Sequence, residues 1–147
     1  MTRQVLFLCT ANFYRSRFAE HFFNWLAVQE GLRWRADSRG LAVDQWADDL
    51  TISQLALDGL TARGVPLYEQ QRRPQQVTED DLAKSQLVVA LKEAEHRPLL
   101  TQTFPSWAER VEYWHVDDID CAPPDEALPV LEGCLRQLIQ RVKAADP

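Results

Sequence analysis

Cys9, Arg15 and Ser16 are the residues of this chain whose types and spacing are best suited to chemistry. They lie in one short segment, Cys9-Thr10-Ala11-Asn12-Phe13-Tyr14-Arg15-Ser16. A cysteine attacks as the thiolate, and an anion is favoured where a loop feeds the N-terminus of a helix. The inward N–H groups of such a loop hold anionic oxygens, and the planar fork of Arg15 can hold two at once. Ser16 can donate a hydrogen bond to the sulfur and help it leave in a later step. Nucleophile, oxyanion cradle and charge clamp from one loop are what phosphomonoester transfer to a cysteine requires.

Such a transfer also needs a proton donor for the departing oxygen. The run His115-Val116-Asp117-Asp118-Ile119-Asp120 offers three carboxylates, and spacing alone does not choose among Asp117, Asp118 and Asp120.

Elements of an α/β chain would bring these two segments together. Val5 to Leu8 is a continuous apolar run, as in a strand buried on both faces of a parallel sheet. From Ser16 the period changes: Phe18, Phe22, Trp25 and Leu26 recur at helical spacing, and Gly31 closes the helix. Arg33 to Ser38 reads as a second strand ending at Gly40, and Leu50 to Arg63 as a helix stopped by Gly64. Thr78 caps a helix with Asp81 at its third position. Leu87 to Leu91 and Val111 to Val116 are the third and fourth strands, and Asp125 to Val142 is a terminal helix. Gln70 to Gln76 is the most loop-like interior stretch. Strands alternating with helices predict a parallel sheet, with ligands beyond the carboxyl ends of its strands. Both chemical segments follow such strand ends. No domain boundary is evident, so residues 1–147 are expected to form a single domain.

Composition narrows the function. The 147 residues carry 16 basic and 22 acidic side chains, a net charge of −6, which argues against nonspecific nucleic-acid binding. No apolar run approaches the roughly 20 residues of a membrane-spanning helix. No cleavage site follows Met1-Thr2-Arg3-Gln4, so a secretory leader is not expected. Cys9, Cys121 and Cys134 form no CxxC pair and are odd in number, which argues for reduced thiols and a cytoplasmic location. His21, His96 and His115 lack metal-ligand spacing, so structural or exposed roles are expected and no metal is.

Val5 to Ser16 resembles the opening of the low-molecular-weight protein tyrosine phosphatases, whose loop runs C-x-G-N-x-C-R-S and whose fold is shared with the thioredoxin-coupled arsenate reductases. The resemblance continues through Ala36-Asp37-Ser38, Gly64-Val65-Pro66-Leu67 to Arg72, Thr78 to Leu82, and Leu87 to Leu91. Val116-Asp117-Asp118-Ile119 falls where the family has its V-x-D-P acid, which selects Asp118. The resemblance implies a flavodoxin-like three-layer sandwich, with helices on both faces of a four-stranded parallel sheet. It implies two-step hydrolysis of protein phosphotyrosine or small aryl phosphates, with inorganic phosphate as product and no cofactor. Cys9 would be the nucleophile, Arg15 and the amides of Thr10, Ala11, Asn12, Phe13 and Tyr14 would bind phosphoryl, Ser16 would stabilise the thiolate, and Asp118 would act as acid and then base.

The chain departs from the family at several positions. Ala11 replaces a glycine, which is costly only if its φ is positive. Tyr14 replaces a cysteine able to trap an oxidised nucleophile. The family histidine that supports the asparagine falls at about Glu69, Ile119 replaces the proline after the acid, and Asp120 and Cys121 replace an aromatic pair. Phe13 and Tyr14 flank the anion site, Trp46 is a candidate opposite wall, and Arg39 and Arg72 are candidates to raise the local potential. Two alternatives stay open: a catalytically silent relative that binds phospho-ligands, and an arsenate reductase using an external thiol, since no cysteine lies between Cys9 and Cys121.

Overall fold

The computed structural model describes residues 2–43, 51–67 and 72–145. In chain order the elements are β1 (Arg3–Cys9), α1 (Arg15–Gln29), β2 (Trp34–Gly40), α2 (Gln54–Ala62), α3 (Glu79–Ala83), β3 (Leu87–Ala90), α4 (Glu93–Thr103), β4 (Glu112–Tyr113) and α5 (Pro124–Ala145). The four strands form one sheet in the order β2-β1-β3-β4, and all neighbours are parallel.

β1 sits inside the sheet, and its apolar run serves both faces. Val5, Phe7 and Cys9 point into a core with Phe18 and Phe22 of α1, Leu60 of α2 and Leu131 and Leu135 of α5. Leu6 and Leu8 point the other way, against Leu82 of α3 and Leu100 of α4. The period of two along a strand thus divides the helices into two layers. Phe7, Phe18, Phe22 and Phe23 are fully buried, each contributing about 1.5–3 kcal/mol from area removed from water. Among the described residues no helix is long and apolar enough to cross a membrane.

This strand order sets the place of the site. The chain leaves β1 for β2 on one side and returns to β3 on the other, so a crevice opens beyond the carboxyl ends of β1 and β3. Cys9 ends β1 there, and Lys92 follows β3 into α4.

The elements follow the sequence signals with three differences. Helix α4 was not foreseen: its segment is mostly polar and buries only His96 and Leu100. β4 is two residues long where the sequence suggests Val111 to Val116. Beyond it, the N–H groups of Trp114 and Val116 still donate to the carbonyls of Ala90 and Leu91, at 2.9 and 2.7 Å. α2 begins at Gln54 under a Ser53 cap rather than at Leu50, which lies outside the described residues. The capping box of Thr78 and Asp81 is formed as expected.

Gly40 joins β2 to the loop after β1. A β-carbon there would lie 2.8 Å from the Thr10 carbonyl oxygen and would also strike Val43. Leu41 and Ala42 meanwhile donate their N–H groups to the carbonyls of Cys9 and Thr10, at 2.8 and 2.9 Å. Gly40→Ala is therefore expected to push the loop away from β2 and to cost about 1–3 kcal/mol in chemical denaturation. Unchanged stability would contradict this close approach.

Candidate active site

The Cys9–Ser16 loop is a tight turn between β1 and α1. Asn12 adopts a left-handed conformation with φ of 54° and is fully buried. It is the one non-glycine residue at positive φ among those described, so Ala11, in the family's glycine position, carries no such strain. No side chain caps α1 at Tyr14, and its first turn holds no acidic residue. The opening of the helix thus carries no side-chain cap from Tyr14, which suits an anionic ligand.

The Cys9 sulfur lies 2.9 Å from the Ser16 hydroxyl oxygen. That oxygen also accepts a hydrogen bond from Asn12 Nδ2 at 2.8 Å, and its own proton can turn to the sulfur once Cys9 is a thiolate. Asn12 Nδ2 also donates to Ser38 Oγ at 2.9 Å, and Ser38 donates to Glu20 Oε1 at 2.6 Å. Asn12 Oδ1 accepts from Arg72 Nη1 at 2.9 Å and from the Gln75 N–H at 3.0 Å. Arg72 Nη2 reaches Glu20 at 3.1 Å and the Ser38 carbonyl at 2.9 Å. Arg72 thus supports the asparagine. This support is a contact that the sequence reading of Arg72, a candidate to raise the local potential around the pocket, did not include. Glu69, the position aligned to the family histidine, lies outside the described residues, as does Trp46.

Arg15 is 2% exposed. Its Nη1 donates to the Val116 carbonyl at 3.0 Å, and its Nη2 to Glu95 Oε2 at 2.8 Å, with Asp118 Oδ2 at 3.4 Å. Burial works against its charge, but Cys9, Glu95 and Asp118 outweigh burial and raise its pKa. Asp117 instead pairs with Lys92 at 2.8 Å, and Asp120 is exposed. Of the three carboxylates, Asp118 is the one beside Arg15.

Glu95 and His96 of α4 join the site without a signal in the sequence. His96 is fully buried. Its Nδ1 accepts the Lys92 N–H at 3.0 Å, so the proton of the neutral ring sits on Nε2. Nε2 lies 3.1 Å from Thr10 Oγ1 and 3.3 Å from Glu95 Oε2. Thr10 Oγ1 also donates to Glu95. The His96 hydrogen bond, opposed by burial and helped by Arg15 and Thr10, holds the Glu95 carboxyl far below the usual range. Burial pushes the His96 pKa down.

The sulfur and Arg15 open into a cleft of about 210 Å³, bordered by Asp118 and walled by Ala11, Phe13, Tyr14, Leu55 and Ile119. Ser53, also in the lining, receives the loop through its N–H to the Phe13 carbonyl, at 2.9 Å. Leu55 and Ser53 were missed because α2 is brought to the loop only by folding. Arg39 pairs with Asp37 at 2.9 Å and Asp81 at 3.2 Å, away from this lining. Cys134 is half-buried on α5, and Cys121 is exposed with its sulfur 3.7 Å from Lys92 Nζ. No group of three or more His, Cys, Asp or Glu placed to hold a metal occurs among the described residues.

The family described as "Low molecular weight phosphotyrosine protein phosphatase" matches residues 4–145. No curated protein sequence matches. The low molecular weight protein tyrosine phosphatase of T. tengcongensis shares 25% identity and superposes with a TM-score of 0.78, over 95% of this chain and 99% of that one. YfkJ of Bacillus subtilis shares 22% identity with a TM-score of 0.82, over 100% of this chain and 98% of that one. The YwlE arginine phosphatase of Geobacillus stearothermophilus shares 19% identity with a TM-score of 0.75, over 97% of this chain and 94% of that one.

The Glu95 contacts predict a pH-dependent stability. In the unfolded chain Glu95 takes up its proton near the ordinary value of 4.5, and in the folded protein only at much lower pH. Its contribution is therefore whole above 4.5 and fades as the pH falls toward the folded value. Glu95→Gln is expected to cost about 1–3 kcal/mol in urea denaturation at neutral pH. The gap to wild type should narrow with acidification. A gap that stays constant would contradict the ion pair.

Proposed function

This chain belongs to the low molecular weight phosphotyrosine protein phosphatase family and is a cysteine-based phosphatase; from that premise we propose that it hydrolyses phosphotyrosine in cytoplasmic protein substrates. In the first step Cys9 Sγ attacks phosphorus, forming an S–P bond as the P–O bond to the aryl group breaks. Asp118 gives its proton to the departing phenolic oxygen. Arg15 and the loop amides hold the nonbridging oxygens, whose charge is greatest in transit. In the second step water attacks phosphorus and Asp118 takes its proton. The S–P bond breaks, the Ser16 hydroxyl receives the thiolate, and inorganic phosphate leaves. No metal or cofactor takes part in this scheme.

The observation that carries the reading is the Cys9 sulfur 2.9 Å from Ser16, in one cleft with Arg15 and Asp118. The aryl preference is supported by the apolar walls, Phe13, Leu55 and Ile119, which suit a ring better than a charged leaving group. Asp118 lines that cleft while Asp117 is held by Lys92, which supports Asp118 as the acid.

Purified protein is expected to hydrolyse phenyl phosphate and phosphotyrosine peptides. Cys9→Ser should abolish turnover, and Asp118→Asn should lower kcat by about 10²–10³-fold on phosphotyrosine peptides. Phosphoarginine turned over in preference to phosphotyrosine would overturn the substrate reading. Phosphopeptide binding without turnover would leave a silent relative, and arsenate-dependent oxidation of an added thiol would revive the reductase alternative.

A further inference from the structure

Tyr14 occupies a position that the mechanism above leaves without a task. Its side chain is 6% exposed and lines the cleft, yet its hydroxyl oxygen is sealed from solvent and has no hydrogen-bond partner among the described residues. A buried hydroxyl without a partner costs roughly what a lost hydrogen bond costs, so a fold retains one mainly where another state of the protein uses it. The charges acting on Tyr14 identify its surroundings. Burial raises its pKa, the Asp118 carboxylate raises it further, and Arg15 partly opposes them, so the phenol keeps its proton and remains a donor.

Asp118 has the complementary problem. Without substrate its Oδ2 lies 3.4 Å from Arg15 Nη2, and its Oδ1 accepts the N–H of Ile119 at 2.9 Å. That arrangement suits a carboxylate paired to a cation. A proton donor must instead present an O–H to the leaving oxygen and hold its second oxygen still. A phosphoryl group in the cradle would face Arg15 in the place of Asp118 and so remove the ionic partner of Asp118.

On the reading that Asp118 is the general acid, we infer that Tyr14 is a positioning residue for it: with phosphoryl bound, the Tyr14 hydroxyl donates to one oxygen of Asp118. The other Asp118 oxygen then faces the leaving group, giving its proton in the first step and accepting one from water in the second. Tyr14 neither gains nor loses a proton. The residue that replaces the family's cysteine thus becomes a support for the acid in this chain.

The test is Tyr14→Phe, which removes one oxygen and leaves the ring in the core. Its melting temperature is expected to equal or exceed that of wild type, because the deleted group has no partner in the free protein. kcat/KM for phenyl phosphate, a poor leaving group that needs protonation in the first step, should fall about tenfold. kcat/KM for para-nitrophenyl phosphate, which reports the same step and needs little protonation, should hold, as should inhibition by inorganic phosphate. In an Asp118→Asn background Tyr14→Phe should have no further effect. Equal loss on both substrates, no loss on phenyl phosphate, weaker phosphate inhibition, or a full loss added to Asp118→Asn would each overturn the inference. Failure of the phosphatase reading would show separately, as wild-type protein without turnover or Asp118→Asn without effect.

Discussion

The left-handed turn at Asn12 is the constraint on which the site depends. A non-glycine residue at φ of 54° carries strain of about 1–3 kcal/mol unless its surroundings enforce it. Here they do, through every polar atom of the amide side chain. Nδ2 is divided between Ser16 and Ser38, and Oδ1 is shared by Arg72 and the Gln75 N–H. Beneath them Arg72 and the buried Glu20 neutralise one another at 3.1 Å. The turn sets the direction of the loop. The same amide donates to the Ser16 hydroxyl that meets the Cys9 sulfur, so the fold of the loop and the surroundings of the proposed nucleophile are one hydrogen-bond network.

A second balance concerns charge. Arg15 is almost fully buried, and an isolated guanidinium in such a place would be costly. Cys9, Glu95 and Asp118 offset that cost in the free protein. Glu95 is held as a carboxylate by His96, Arg15 and Thr10, so it is a fixed partner. Asp118, at 3.4 Å, is the looser of the two. A phosphoryl group can therefore displace Asp118 from the arginine while Glu95 keeps the guanidinium oriented. In the proposed mechanism, substrate binding itself would free the acid for its work.

The sequence disclosed what is contiguous in it. A strand, a loop and a helix in succession place Cys9, Asn12, Arg15 and Ser16 together in the sequence itself, and the apolar run of β1 announces a parallel sheet. Residues joined across long separations were not legible. Glu95 and His96 sit on α4, a helix with little apolar period, and meet Thr10 and Arg15 only because β3 adjoins β1. Arg72 could be read as surface charge, since nothing local shows that it turns inward to Asn12 across 60 residues. The choice of Asp118 needed the family motif, because three carboxylates in one short loop have equal local merit. The length of β4 was misjudged because an edge strand pairs on one side, and its apolar residues pack without a full ladder.

The account rests on an anion cradle that exists before its ligand and is held by the Arg72–Asn12 contact. The most direct measurement is an NMR titration of isotopically labelled protein with inorganic phosphate, for wild type and for Arg72→Met. In wild type the amides of residues 10–16 should shift saturably while the sheet stays still. In Arg72→Met, with the sheet resonances preserved, phosphate affinity should fall at least about tenfold, or about 1.4 kcal/mol. Equal affinity in the two proteins, or wild-type shifts spread through the sheet on binding, would contradict a cradle built in advance.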